Sequence, residues 1–159
     1  KSKEALLIYE KIQLDLGYEG IMIRSMSSPY KCGRATEKEQ FLLKLKRFVD
    51  AEATIIGFEE QQTNNNVKEK DNFGRSKRSS AKAGLVPANT LGKFIVKDSN
   101  GVEFGIGSGL GLTQLLRKQI WDSKDKYLGK LVKFKYQQIG TLNAPRIPIF
   151  LGFRDKIDT

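Results

Sequence analysis

Two apolar runs, Leu91-Gly-Lys-Phe-Ile-Val-Lys97 and Val102-Glu-Phe-Gly-Ile106, flank Asp98-Ser-Asn-Gly101, and this arrangement narrows the possible folds more than any other stretch. Asn-Gly readily takes the positive φ angles of a tight hairpin, so the pair predicts two antiparallel strands. Around it, Ala51 to Gln61 reads as an earlier strand rich in β-branched residues. Leu112 to Trp121, with Leu115, Leu116 and Ile120 on one face and Thr113 at its start, reads as a helix. Lys130-Leu-Val-Lys-Phe-Lys-Tyr136 and Ile147-Pro-Ile-Phe-Leu-Gly-Phe153 supply two more strands.

Three strands, a helix, then two strands is the element order of an OB-fold, a five-stranded barrel used repeatedly for nucleic acids. We place it at residues 50–159. Gly105, Gly107, Gly109 and Gly111 fit no phosphate-loop or dinucleotide spacing and read as barrel bends and a strand-to-helix link.

Ahead of the barrel lies an α+β segment, residues 1–49. Ser2 to Leu16 reads as a helix, capped by Ser2, stopped by Gly17, and burying one face of Leu6, Leu7, Tyr9, Ile12, Leu14 and Leu16. Tyr18-Glu-Gly-Ile-Met-Ile-Arg-Ser25 reads as a strand with Glu19 at its mouth, and Met26 to Gln40 as loop. Phe41-Leu-Leu-Lys-Leu-Lys46 alternates apolar and cationic residues, which puts Lys44 and Lys46 on one face of a strand. They point at one spot, although two solvated lysines on an exposed face give the same pattern. Val49-Asp50 is the expected hinge into the next strand.

Charge adds a constraint: 28 Lys and Arg against 18 Asp and Glu give +10, which favours a polyanionic partner. The excess concentrates in Lys68-Glu-Lys-Asp-Asn-Phe-Gly-Arg-Ser-Lys-Arg-Ser-Ser-Ala-Lys82, where Lys68, Lys70, Arg75, Lys77, Arg78 and Lys82 outnumber Glu69 and Asp71. Interleaved serines and glycines suit phosphate oxygens, and Phe73 offers a ring to stack or wedge. Lys133 and Lys135 share one face of a later strand, opposite Val132, Phe134 and Tyr136, as on any half-exposed strand. One cysteine and no histidine exclude an internal disulfide, a Cys/His nucleophile pair and Cys/His zinc sites. No apolar run reaches the roughly 18–20 residues of a helical membrane span. A reducing, cytoplasmic setting without membrane attachment is expected.

Glu19-Gly-Ile-Met-Ile-Arg24, Tyr30-Lys-Cys-Gly-Arg-Ala-Thr36 and Leu42-Leu-Lys-Leu-Lys46, taken in order, resemble the fourth and fifth motifs of the covalent nucleotidyltransferases, and most closely those of small phage-type ATP-dependent DNA ligases. Pro145-Arg-Ile-Pro-Ile-Phe-Leu-Gly-Phe-Arg-Asp-Lys156 resembles their sixth motif, with one residue fewer before the final acidic-basic pair. Arg24 stands where the family usually has lysine. The resemblance implies an adenylation-domain remnant followed by the OB barrel, acting in a monomer on nicked duplex DNA during replication, repair or recombination. It implies ATP, a covalent lysine-AMP intermediate and Mg²⁺ as a divalent metal served by Glu19. Glu19, Arg24, Arg34, Lys44 and Lys46 would contact the nucleotide; Lys44, Lys46 and Arg154 would act in catalysis, with Lys156 in a lesser part. Lys68, Lys70, Arg75, Lys77, Arg78, Lys82, Lys133 and Lys135 would hold DNA. The family's nucleophilic Lys-x-Asp-Gly stretch is absent from these residues, so a partner segment carrying it is expected. RNA ligases and capping enzymes share the fourth and fifth motifs, and a non-enzymatic OB module for single strands is the remaining alternative.

Overall fold

The computed structural model describes residues 2–138 and 144–154. It divides into two units: Lys1–Val49 with Tyr136–Ile147, and Asp50–Lys135 with Pro148–Thr159.

In the first unit, helix α1 (Lys3–Asp15) starts where Ser2 Oγ accepts the N–H of Ala5 at 3.3 Å. Strands β1 (Gly20–Arg24) and β2 (Leu42–Lys46) pair antiparallel, with Met22 opposite Lys44 and Gly20 opposite Lys46. The expected apolar face of α1 is corrected. Leu6 and Leu14 are half-buried, while Leu7, Tyr9, Ile12 and Leu16 are exposed. At 100° per residue the six do not form one stripe: Leu6 and Leu14 share a side with Glu10 and Gln13, whereas Tyr9, Ile12 and Leu16 share another. The inward side carries Glu10, only 2% exposed, whose carboxylate accepts from Nε of Arg47 at 2.8 Å and also from its Nη2. Such a buried charge persists only with a partner of this kind.

The second unit holds most of β3 (Val49–Asn64), β8 (Leu131–Gln137) and β9 (Arg146–Arg154) and all of β6 (Leu85–Lys97) and β7 (Glu103–Ile106), which form one sheet in the order β7-β6-β3-β8-β9. Helix α2 (Gln114–Asp122) falls between its third and fourth strands in chain order. The expectation of a closed barrel is corrected: among the described residues β7 forms no ladder with β9, and past its end Ser108 makes an isolated parallel bridge to Ile149 of β9. The four-residue β7 ends too early to form a ladder with β9. Three register shifts between β3 and β6 bend the long first strand.

Alternate residues of each strand face inward, giving a core that includes Ile55, Phe94, Val96, Phe104, Ile106, Val132 and Phe134. Phe94 lies 5.7 Å from the ring of Phe150 and 6.0 Å from that of Phe153. Ile120 of α2 is fully buried, but Leu115, expected on the same face, is 71% exposed. Arg117 docks this helix instead, donating to the carbonyls of Leu91, Gly92, Gly107 and Leu112 at 2.6–3.1 Å. At the β6–β7 turn only Gly101 takes positive φ, +84°. The Asp98 carboxylate accepts from the N–H groups of Asn100 and Val102, so an acid closes a turn expected to rest on Asn-Gly alone.

Candidate functional site

Antiparallel pairing decides what the two lysines of β2 face. Lys44 and Lys46 share a face with Met22 and Arg24, while Leu43, Leu45, Ile21 and Ile23 take the other side. The lysine face is open: Lys44, Arg24 and Met22 are exposed. Among the described residues no carboxylate reaches Lys44, whereas Lys46 is ion-paired to Glu19. The other oxygen of Glu19 accepts from Arg146. These two cations hold the Glu19 carboxyl below the usual carboxylate range, the hydrogen bond from Lys46 contributing most.

Beside the lysine strand runs a groove of about 770 Å³, bordered by Met22, Gly33, Arg34, Glu37, Lys44 and Leu45. The loop that presents Arg34 is tied by Glu39, whose carboxylate accepts from Lys31 Nζ at 2.6 and 2.7 Å and from the N–H and hydroxyl of Thr36 at 3.0 and 2.9 Å. These bonds, led by that from Lys31, bring the Glu39 carboxyl down to about 2. Arg34 and Lys44 thus flank one open space with two positive charges, an arrangement suited to an anion such as a phosphate. The donor set does not suit a resident divalent metal. Both Glu19 oxygens are engaged by cations, and no group of three His, Cys, Asp or Glu side chains forms a ligand set among the described residues.

The second unit carries the other cations. Strands β4 (Lys68–Lys70) and β5 (Ser76–Arg78) form a three-pair hairpin, every strand residue of which is exposed. Asp71 shapes its tip by accepting from the N–H groups of Phe73 and Arg75, and the Arg75 guanidinium sits 5.8 Å from the Phe73 ring centre. Lys68, Lys70, Lys77 and Lys82 have no acidic partner among the described residues, while Arg78 donates to two backbone carbonyls. Lys133 pairs with Asp50 at 2.9 Å, and Lys135 lies two residues along the same strand face. Arg154 Nε donates to Glu52 at 2.7 Å. Lys156 lies outside the described residues.

Several partners escaped the sequence reading. Glu19 and Arg146 stand 127 positions apart and Glu10 and Arg47 stand 37 apart, separations that no local pattern encodes. Thr36 to Glu39 was findable, because a threonine followed three residues later by glutamate is the reciprocal bonding pattern of a helix start. Here it closes a loop.

Residues 86–154 match the model of the DNA ligase OB-like domain. Chlorella virus DNA ligase-adenylate is 38% identical over 98% of this chain and 48% of its own, with a TM-score of 0.51. A Lig E DNA ligase, at 24% identity, covers 97% of this chain and 47% of its own with a TM-score of 0.66, a likeness of fold. No curated protein matches. The chain spans about half the length of the two ligases it resembles. The fold of the second unit, the family match within it and the identity that extends through the lysine strand together make this chain similar to DNA ligases over nearly its whole length, with residues 86–154 belonging to the DNA ligase OB-like family.

Proposed function

We propose that the chain provides the late nucleotide-phosphate contacts and the DNA-gripping domain of an enzyme that seals nicks in duplex DNA, through lysine-AMP and DNA-adenylate intermediates. The observation that carries this reading is the shared open face of Lys44 and Lys46 beside a groove edged by Arg34. Every step of nick sealing is a displacement at phosphorus, which needs fixed cations where charge is redistributed, beside the lysine that acts as nucleophile in the first step. Lys44, exposed and without a carboxylate partner, is placed to meet a phosphate directly. Lys46 first has to leave Glu19, and Arg146 keeps that carboxylate neutralised when it does.

The first unit is read as a nucleotidyltransferase remnant completed by a segment that bears the nucleophilic lysine. Its exposed stripe of Tyr9, Ile12 and Leu16 supports this, since solvated apolar faces of that kind mark an interface. ATP supplies the adenylyl group; divalent-metal chemistry, where the reaction needs it, requires ligands beyond Glu19. In the second unit the hairpin lysines and Arg75 contact the duplex backbone, with Lys82, Lys133 and Lys135 as outlying cations, and Arg154 acts on the nucleotide phosphates.

Titrating the chain with nicked duplex and with single strands of equal length tests the DNA reading. Nicked duplex is expected to bind more tightly, with a steep salt dependence that flattens in a Lys70→Glu/Lys77→Glu variant. Tighter binding to single strands would favour the non-enzymatic OB module instead. Incubation with labelled ATP and Mg²⁺ is expected to leave the chain unlabelled, and a covalent AMP adduct would place the nucleophile within these residues.

A further inference from the structure

The basic hairpin is joined to the sheet by a polar knot that no pattern of charge announces. β3 ends at Asn64, β4 and β5 follow, and the chain returns through a 3₁₀ turn, Lys82–Gly84, into β6. Between Asn64 and Gly84 the outgoing and returning strands are tied mainly by side chains. Asn64 Nδ2 donates to Ser79 O at 2.8 Å. Asn66 Nδ2 lies 3.0 Å from Ser79 O and 2.9 Å from Ala81 O, and the Asn66 backbone N–H donates to Asn64 Oδ1 at 3.0 Å. Arg78 Nη1 donates to the carbonyls of Asn64 and Asn66 at 2.7 and 3.2 Å. One backbone bond, from Asn65 N–H to Gly84 O at 2.8 Å, completes the set. Gly84 presses on Asn66 so closely that a Cβ at position 84 would fall 2.2 Å from Asn66 Oδ1 and 2.9 Å from Asn66 N.

A hairpin of three pairs with all strand residues exposed cannot set its own direction, because it buries no face. Its aim is fixed at the root or nowhere. We infer that Asn66, Arg78 and Gly84 form a positioning clamp that aims Lys68 and Lys70, which share one face of the hairpin, at one polyanionic backbone, and that Arg78 serves as a pin of this clamp and not as a phosphate contact. The inference rests on the reading that the hairpin grips duplex DNA. Arg78 and Lys77 are sequence neighbours of equal charge, yet Lys77 lies opposite Glu69 on one face of the hairpin and Arg78 opposite Lys68 on the other. Only the arginine reaches the root.

Salt dependence separates the two roles. The slope of log affinity against log salt counts phosphates neutralised, at about 0.9 per contact on duplex DNA. With the full chain and a nicked duplex, Lys70→Ala is expected to lower that slope by about one unit. Asn66→Ala removes no charge, yet is expected to lower it by about 2 units, since Lys68 and Lys70 lose their aim together. Gly84→Ala and Arg78→Ala are expected to match Asn66→Ala, with the main thermal transition unchanged. A slope at the wild-type value for Asn66→Ala and Gly84→Ala, or an Arg78→Ala that matches Lys70→Ala, would overturn the clamp while leaving duplex binding intact. Should Lys70→Glu/Lys77→Glu have no effect, the hairpin does not bind DNA and both readings fall. Hydrogen exchange on the wild-type chain is a check that needs no variant: the N–H groups of Asn65 and Asn66 are expected to exchange more slowly than that of Asn72, and equal rates would count against the clamp.

Discussion

Among the described residues the second unit buries twelve apolar side chains, from Ala53 to Phe150, and the first buries one, Ile21. The first unit is ordered by other means: a five-pair ladder and the ion pairs of Glu10 with Arg47, Glu19 with Lys46 and Arg146, and Glu39 with Lys31. Apolar burial stabilises roughly in proportion to area and needs no exact partner, whereas a charge held by one counter-charge fails when that partner is lost. The OB-like unit therefore carries its own stability. The lysine-bearing unit leaves Lys44 and the stripe of Tyr9, Ile12 and Leu16 exposed.

Three measurements can break or sharpen that contrast. The largest effect is expected from Phe94→Ala in the second unit, at about 3–5 kcal/mol in denaturant unfolding, because the ring is fully buried among Phe58, Phe150 and Phe153. Ile21→Ala is the companion in the first unit. An equal loss there would mean that Ile21 belongs to a core as well packed as the other. Next, the chain is expected to bind a hydrophobic dye through the first unit, and a Tyr9→Ser/Ile12→Ser/Leu16→Ser variant to lose most of that fluorescence with little change in thermal stability, since the stripe is already solvated. Undiminished dye binding would locate the sticky surface elsewhere.

The smallest effect concerns pH. Glu39 titrates at about 2 in the folded chain against 4.5 ordinarily. The folded value lies below the unfolded one, so its contribution is fully present above about pH 4.5 and is lost as pH falls through about 2. The loop that carries Arg34 should loosen across that window, and Glu39→Gln should loosen it at neutral pH. Identical exchange rates for the Thr36 N–H at pH 5 and pH 2.5, after correction for intrinsic rates, would remove Glu39 from that role.

Much of the fold was legible in the chain. The two apolar runs about Asp98-Ser-Asn-Gly101 marked the hairpin, and the cationic alternation at Lys44 and Lys46 put both on one face, because a strand has a period of two whatever surrounds it. The helices were less legible. On α1 two apolar stripes compete, and on α2 Leu115 lost to Arg117, three of whose carbonyl acceptors, Leu91, Gly92 and Gly107, lie outside the helix and its cap. For the site, residue types were readable and their partners were not: nothing near Glu19 announces Arg146, and nothing near Arg78 distinguishes it from Lys77.

The sequence by itself determined the strands outside the basic hairpin, the helix starts, the local excess of cations and the family motifs, because each depends on backbone period, capping or charge within a few residues. Only the tertiary structure decided that the sheet stops short of closing, that one stripe of α1 is left without cover, that Glu19 lies between two cations, and that Arg78 turns back to the hairpin root. Those outcomes depend on which distant groups arrive within hydrogen-bonding or packing distance, and attractions of such short range have no signature until the chain has folded.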